Sequence, residues 1–153
     1  MAIFNVGDAA PLFTAHNQNG EVISLADFKG KKVILYFYPK DNTPGCNAEA
    51  CNFRDNYQFL KGKGFEVIGV STDDVKSHKK FETKFELPFN IIADTEKDIV
   101  HKYGVWVEKS MYGKTYWGTA RKTFLIDEHG KIASIIEKVD TKNASQQLLD
   151  VME

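Results

Sequence analysis

Cysteine is scarce in this sequence, and neither one sign of charge nor a long apolar run dominates it. Two cysteines in 153 residues exclude the disulfide framework that staples small secreted domains. Twenty Lys and Arg stand against 21 Asp and Glu, a net charge of −1. This balance provides neither the basic surface that nucleic acid requires nor a strong attraction to anionic lipid. The longest apolar run, Val33 to Tyr38, is far shorter than the ~20 residues of a membrane helix.

The beginning of the sequence also lacks a recognisable targeting segment. Met1 to Asp8 contains neither a charged n-region nor an apolar h-region, so no signal peptide is expected. Apolar residues make up 42% and charged residues 27%, which is ordinary for a globular protein. We therefore expect a cytoplasmic protein that binds neither nucleic acid nor membrane, with residues 1–153 forming a single domain.

The order of apolar runs and breaking residues predicts alternating strands and helices. The predicted strands cover residues 22–25, 32–38, 65–72, 89–93, 123–127 and 131–136. The predicted helices cover residues 46–61, 73–85 and 95–103 and a C-terminal segment from about 144. Residues 109–118 are either a loop or a hairpin. This order favours an α/β fold with a central mixed β-sheet flanked by helices, and a thioredoxin-like architecture fits it best.

The two cysteines, Cys46 and Cys51, are close together and invite three interpretations. Zinc would need two more ligands, and no pair of histidines has the spacing of a zinc site. A close pair of cysteines in a reducing compartment favours metal or redox chemistry, whereas two buried thiols are also common as small hydrophobic residues. The pair alone leaves burial and redox chemistry equally open.

The segment from Pro39 to Cys51 lies between a buried strand and the first turn of a helix, where open α/β sheets bind their ligands. Unpaired N–H groups and the helix dipole favour a thiolate there. Pro39 and Pro44 stiffen the loop because they fix φ. The Thr43 hydroxyl either accepts from a helix N–H as an N-cap or bonds a polar substrate beside the sulfur.

This segment resembles a known family. Pro39, Thr43 and Cys46 form the Pro-x-x-x-Thr-x-x-Cys pattern of peroxiredoxins. The run from Tyr38 to Cys46, with Cys51 five residues further on, is similar to the peroxiredoxin Q subfamily, also called bacterioferritin comigratory protein. The resemblance covers nearly the whole chain and includes residues 7–11, 71–73, 103–105, 111–114 and 121–127. Lys122 departs from it, since small hydroxyl residues are common there in relatives.

The resemblance implies a thiol-dependent peroxidase for hydrogen peroxide and organic hydroperoxides. Cys46 would attack one peroxide oxygen and become a sulfenic acid. Arg121 would stabilise the thiolate and donate hydrogen bonds to the reacting oxygens. Thr43 and the Cys46 N–H would orient the peroxide, and Pro39 would shield the sulfur from water. Cys51 would then condense with the sulfenic acid to form an intramolecular disulfide.

The resemblance also implies the partners of the protein. A thioredoxin-like dithiol would reopen the disulfide, and the reaction would need no cofactor and no metal. We expect a monomer, and weak dimerisation stays open. Glu49 matches the family as an orienting partner for an arginine or for backbone groups. Alternatively, it is an ordinary carboxylate in the first turn that interacts favourably with the helix dipole. Outside the motif, Arg121 would be read as a surface or ion-paired arginine.

Aromatic residues are assigned to core and loop packing, and a subset of them to an apolar rim for organic hydroperoxides. These residues are Phe81, Phe85, Trp106, Tyr112, Tyr116 and Trp117.

Two other functions compete with the peroxidase. A thioredoxin-type disulfide oxidoreductase would use Cys-x-x-Cys, whereas this chain has Cys-x-x-x-x-Cys. A copper or other metal chaperone would need a soft His or Met ligand beside the thiols. His101, His129 and Met111 are the candidates, and nothing in their spacing favours them.

Overall fold

A computed structural model describes residues 4–151 and contains two β-sheets with helices. The strands are β1 (Thr14–His16), β2 (Val22–Ser24), β3 (Lys32–Phe37), β4 (Phe65–Ser71), β5 (Asn90–Ala93), β6 (Trp106–Met111), β7 (Lys114–Thr119), β8 (Lys122–Ile126) and β9 (Ile132–Ile136). The α-helices are α1 (Pro44–Asp55), α2 (Tyr57–Gly62), α3 (Val75–Phe85), α4 (Asp98–Lys102) and α5 (Ala144–Val151). Short 3₁₀ turns cover Leu25–Phe28 and Thr141–Asn143.

The larger sheet has seven strands in the order β2-β1-β5-β4-β3-β8-β9. Strand β4 is parallel to both β3 and β5, whereas β8 is antiparallel to β3 and β9. This mixed sheet with flanking helices confirms the predicted fold class. Because β8 runs against β3, the start of β8 lies beside the carboxyl end of β3, with Phe37 opposite Lys122.

Strand β3 is buried on both faces, as its uninterrupted apolar run predicts. Ile34 and Tyr36 belong to one core cluster with Phe53 of α1. Leu35 and Phe37 belong to a second cluster on the opposite face. Full burial of each large apolar side chain stabilises the fold by roughly 1.5–3 kcal/mol. Strand β3 is therefore a fixed base for the loop that follows it.

The predicted helix over residues 46–61 is wrong at its start and in its middle. Helix α1 begins at Pro44, and the chain leaves helical geometry at Asn56, whose ψ is 6°. The Asn56 side chain donates to the Asn52 carbonyl at 2.8 Å, so it competes with the backbone for helical acceptors. The apolar residues Ala50, Phe53, Tyr57 and Leu60 are buried nonetheless, because the stripe continues from α1 into α2.

Two further elements were missed or left open by the sequence. Strand β1 is three residues long, too short for an alternating pattern to show. Residues 106–119 form the hairpin rather than the loop, with β6 and β7 paired in a separate two-stranded sheet. Asp74 is the N-cap of α3, since its carboxylate accepts from the Ser77 N–H at 2.8 Å.

Within residues 4–151, none of the helices combines the length and the apolar character that crossing a membrane requires.

Candidate active site

Cys46 lies in the first turn of α1, directly after the loop that leaves β3. Pro44 occupies the first helical position, where its missing N–H is no loss. The first helical hydrogen bond runs from the Asn47 N–H to the Thr43 carbonyl. Helical geometry thus leaves the N–H groups of Gly45 and Cys46 without an intrahelical acceptor. The Cys46 side chain is 1% exposed, so its sulfur is buried at the end of the helix that carries the positive end of the dipole.

Arg121 brings a positive charge to this sulfur. It immediately precedes β8, and the antiparallel pairing of β8 with β3 delivers it to the carboxyl end of β3. Its Nη2 donates to Cys46 Sγ at 3.2 Å, and its Nη1 donates to Glu49 Oε1 at 2.8 Å. Burial alone would lower the pKa of Arg121, but the neighbouring Cys46 and Glu49 raise it above its ordinary value. The guanidinium is therefore a permanent cation that two groups share.

Gly45 leaves room for this approach. A Cβ atom at position 45 would lie 3.2 Å from Arg121 Nη2, closer than an ordinary van der Waals contact. A side chain at position 45 would require the guanidinium to shift by a few tenths of an ångström, and the absence of a Cβ leaves it in place beside the sulfur.

Glu49 lies one turn after Cys46 and is fully buried. Burial raises its pKa to about 7, and the charge and hydrogen bond of Arg121 oppose this rise. Its second oxygen, Oε2, is buried without a hydrogen-bond partner. Of the two interpretations of Glu49, the structure shows the contact with an arginine. Glu49 and Cys46 therefore both contact the guanidinium of Arg121.

We expect Glu49→Gln to flatten the dependence of stability on pH between about 4.5 and 7. The native carboxyl stays protonated in this window whereas the unfolded one ionises, so the free energy of unfolding falls as pH rises. The full shift corresponds to about 3 kcal/mol. Urea unfolding at several pH values measures the slope, and Glu108→Gln on the exposed hairpin serves as control. An unchanged slope in the Glu49 variant would contradict the assignment.

The Thr43 hydroxyl does not cap α1, so this interpretation of Thr43 is wrong at the level of the side chain. Thr43 occupies the N-cap position with its backbone, but its Oγ1 donates to the Lys40 carbonyl at 3.0 Å. This bond closes the turn between Lys40 and Thr43 and turns the hydroxyl away from the helix amides. The Cys46 N–H is consequently not occupied by the threonine side chain.

The remaining predicted site residues lie on the loop before α1 and further along α1. Pro39 is half-buried directly after Tyr38, where the chain leaves β3. Cys51 is a free, partly exposed thiol further along α1, and Cys46 is also free. The structure therefore brings Cys46 and Arg121 into contact, and it holds Thr43, Pro39 and Cys51 on the adjoining loop and helix.

A second cation near the site was missed by the sequence analysis. Lys109 of β6 is half-buried, and its Nζ donates to the carbonyl of Thr119, two residues before Arg121. Burial lowers the pKa of Lys109, Arg121 lowers it further, and Cys46 opposes both. Nothing local in the sequence distinguishes Lys109 from the other lysines, because its environment arises only when the hairpin folds.

The aromatic residues separate into two groups. Core packing is confirmed for Phe81, which is 2% exposed, and Phe85 packs against the same cluster. Tyr112, Tyr116 and Trp117 are instead exposed on the β6–β7 hairpin, and Tyr112 is 97% exposed at its turn. The apolar rim for organic hydroperoxides stays a prediction.

A buried thiol in the first turn of a helix, contacted by an arginine and placed at the end of a central strand, defines a thiol-dependent redox site on a thioredoxin-like fold. Residues 6–135 match the AhpC/TSA family, and the chain belongs to this family. It is 52% identical to a putative peroxiredoxin bcp of Coxiella burnetii over 134 residues, which covers 88% of this chain and 89% of the relative.

Further relatives point to the same kind of protein. The peroxiredoxin Bcp of Escherichia coli is 43% identical over 144 residues, covering 94% of this chain and 92% of the relative. A cysteine-to-serine mutant of Xylella fastidiosa PrxQ superimposes with a TM-score of 0.92 at 29% identity, covering 99% of this chain and 97% of that one. A Xanthomonas campestris peroxiredoxin Q mutant gives 0.86 at 31% identity, covering 92% and 89%. The resemblance to peroxiredoxin Q is confirmed, and the protein is a thiol-dependent peroxidase that acts on peroxides with a thiol reductant.

Proposed function

We propose that Cys46 is the residue that attacks the peroxide. The observation that supports this assignment is the 3.2 Å contact between Arg121 Nη2 and the buried Cys46 Sγ at the start of α1. The thiolate attacks the terminal oxygen of a hydroperoxide, the O–O bond breaks, and the sulfur becomes a sulfenic acid. The other oxygen leaves as hydroxide or alkoxide and takes a proton.

The groups around the sulfur match the charge changes of this step. Negative charge moves from the sulfur to the leaving oxygen, and Arg121 can donate to both positions with its fork of N–H groups. The Cys46 N–H completes the donors that orient the peroxide. The Thr43 oxygen, whose proton is donated to the Lys40 carbonyl, accepts a hydrogen bond from the peroxide O–H. Pro39, half-buried at the exit of β3, limits the access of water.

We expect Arg121→Ala to slow the peroxide step by about two orders of magnitude, the usual effect of removing a donor aimed at developing charge. Arg121→Lys is expected to recover only part of the rate, because an ammonium lacks the planar fork of donors. Stopped-flow measurement of peroxide consumption gives the rate constants. Lys122→Ala is the control, since Lys122 makes a surface ion pair with Glu137 at 3.3 Å. A fully active lysine variant would show that charge alone matters at position 121.

We further propose that Cys51 resolves the sulfenic acid. Its thiolate attacks the Cys46 sulfur, a disulfide forms, and the hydroxyl group leaves as water after taking a proton. A thioredoxin-like dithiol then reduces the disulfide. Hydrogen peroxide and organic hydroperoxides are the proposed substrates, and the neighbouring Xanthomonas campestris protein was studied for alkyl peroxide reduction.

Cys51→Ser is expected to keep one rapid turnover and then stall. Removing the second thiol leaves Cys46 as a sulfenic acid or as a mixed disulfide with added thiol. Mass spectrometry after one equivalent of peroxide identifies the stalled species. Loss of the first turnover would place Cys51 in the attacking step and reverse the two assignments.

One experiment tests the whole cycle. A coupled assay with thioredoxin, thioredoxin reductase and NADPH is expected to show NADPH oxidation that requires peroxide and this protein. Rapid loss of both thiols after stoichiometric peroxide distinguishes the peroxidase from a metal chaperone, whose thiols would survive.

We also propose the domain organisation, the oligomeric state and the compartment of the enzyme. Among residues 4–151, seven of the nine strands belong to one sheet, which supports one domain over residues 1–153. We further propose a monomer, and weak dimerisation stays open. Two free cysteines in a redox cycle fit the reducing cytoplasm, the proposed compartment.

A further inference from the structure

Asp41 is a buried carboxylate in the middle of the loop between Pro39 and Thr43, and three side-chain donors converge on it. Its Oδ1 accepts from the Tyr38 hydroxyl at 2.6 Å. Its Oδ2 accepts from the Ser77 hydroxyl at 2.8 Å and faces His78 Nδ1 at 2.7 Å. Tyr38 comes from the end of β3, whereas Ser77 and His78 come from α3. One side chain of the loop is thus attached to two elements of the scaffold.

His78 is held as firmly as Asp41. Its ring is fully buried, and its Nε2 faces the Ile92 carbonyl of β5 at 2.9 Å. Both ring nitrogens therefore face oxygen atoms. The ring orientation is consequently fixed by β5 on one side and by the active-site loop on the other.

The backbone of the loop is attached as well. The Asp41 N–H donates to Asp73 Oδ2 at 2.8 Å, and the Ser71 hydroxyl at the end of β4 donates to the same oxygen at 2.7 Å. The following residue, Asn42, adopts a left-handed φ of 57°, and its Oδ1 accepts from Lys84 Nζ at 3.0 Å. The chain reaches Thr43 and the start of α1 directly after these attachments.

We propose that Asp41, oriented by His78, is a positioning residue for the peroxide step: it fixes the loop that presents Thr43 and the first turn of α1 to the peroxide. The inference rests on the proposed role of Cys46. A buried carboxylate that collects three donors leaves the loop few alternative conformations, because each alternative would bury unpaired donors. Misplacing a reactive group by about 1 Å can slow a reaction by about 10²-fold. Asp41 acts through the loop and does not touch the reacting atoms.

The test uses Asp41→Asn and two substitutions of His78. An asparagine at position 41 loses one acceptor oxygen and places an amide where donors converge. In His78→Asn the amide nitrogen occupies the place of Nδ1 and still donates to Asp41. In His78→Gln it occupies the place of Nε2, so the bond to the Ile92 carbonyl is kept and the bond to Asp41 is lost. Both His78 variants bury an amide in the same pocket, so they separate positioning from the cost of altering the core.

Rapid quenching with an alkylating reagent, followed by mass spectrometry, measures peroxide reaction at Cys46 and disulfide closure separately. Asp41→Asn and His78→Gln are expected to slow the peroxide reaction at least about tenfold, with the closure rate unchanged. His78→Asn is expected to restore most of the peroxide rate. Asp94→Asn is the matched control, because Asp94 is equally buried but accepts from the Ile99 and Val100 N–H groups of α4 at 3.1 and 2.9 Å.

Three results would overturn the inference. The first is that Asp41→Asn reacts with peroxide at the same rate as Asp94→Asn. The second is that the two His78 variants react at equal rates. The third is that Asp41→Asn and His78→Gln lose the peroxide rate and the closure rate in parallel. Each of these presupposes that the unsubstituted protein shows a peroxide-dependent reaction at Cys46. If that reaction is absent, the proposed function itself fails, so the two failures are distinguishable.

Discussion

Cys46→Ser is expected to abolish peroxide reduction and to leave the fold intact. Serine keeps the approximate volume of the side chain, so the 1% exposed position next to the core loses little packing. It removes the polarisable nucleophile, because a serine hydroxyl is not ionised by an arginine and a helix terminus in the way a thiol is. The coupled assay and direct peroxide consumption both measure the loss.

Cys51→Ser is the matched control for this result, since it changes the same atoms five residues further along the same helix. It is expected to retain the first turnover that Cys46→Ser loses. Thermal unfolding of both variants shows that the fold is retained. Peroxidase activity close to that of the unsubstituted protein in Cys46→Ser would remove Cys46 from the attacking role.

The position of Cys46 between a strand and a helix can be predicted from the sequence, because it depends on interactions between neighbouring residues. The apolar run of β3, the stop at Pro39 and the helical spacing after Cys46 together predict a thiol at the junction of a strand and a helix. The structure has this junction, with α1 starting two residues earlier than expected. Apolar runs and helix periodicity involve residues that are close in the sequence, so the folded structure retains them.

Contacts between distant segments could not be derived in this way. Arg121 is 75 residues from Cys46, and only the family resemblance placed it beside the sulfur. The spacing of His78 and Phe81 places both on one stripe of α3, yet the His78 ring is hydrogen-bonded to a loop 37 residues away. The ion pair between Glu49 and Arg121 likewise joins residues that are 72 positions apart. Such polar pairs become visible only when the sheet topology brings both partners together.

Helix α1 is expected to unwind between Cys46 and Cys51 when the disulfide forms. Five residues of α-helix give a rise of about 7.5 Å and a net rotation of about 140°. On a Cα radius of about 2.3 Å this rotation adds a chord of about 4.3 Å, so the two Cα atoms are about 8.6 Å apart. A disulfide requires Cα atoms within about 7 Å, and side chains 140° apart point away from each other. The continuous helix from Pro44 to Asp55 is therefore incompatible with the bond.

The contacts of α1 indicate where the unwinding stops. The Asn52 side chain donates to the Lys142 carbonyl at 2.9 Å and accepts from the Ser145 N–H at 2.8 Å, and Phe53 is fully buried. These contacts hold the helix from Asn52 onward, so the segment that opens lies before Asn52. This segment includes Glu49, so its contact with Arg121 is expected to break as well.

Hydrogen exchange measured on the reduced and the oxidised protein tests this expectation. The amides of residues 47–51 are expected to exchange about a thousandfold faster after oxidation, because local unfolding removes their protection almost completely. The amides of β4 provide an internal control, since β4 is paired with β3 on one side and β5 on the other and lies outside the segment that opens. Equal protection of residues 47–51 in both states would contradict the expectation, and so would an oxidised structure with an unbroken α1. Either result would mean that Cys51 does not close a bond with Cys46 of the same chain, because the geometry of an intact helix forbids it.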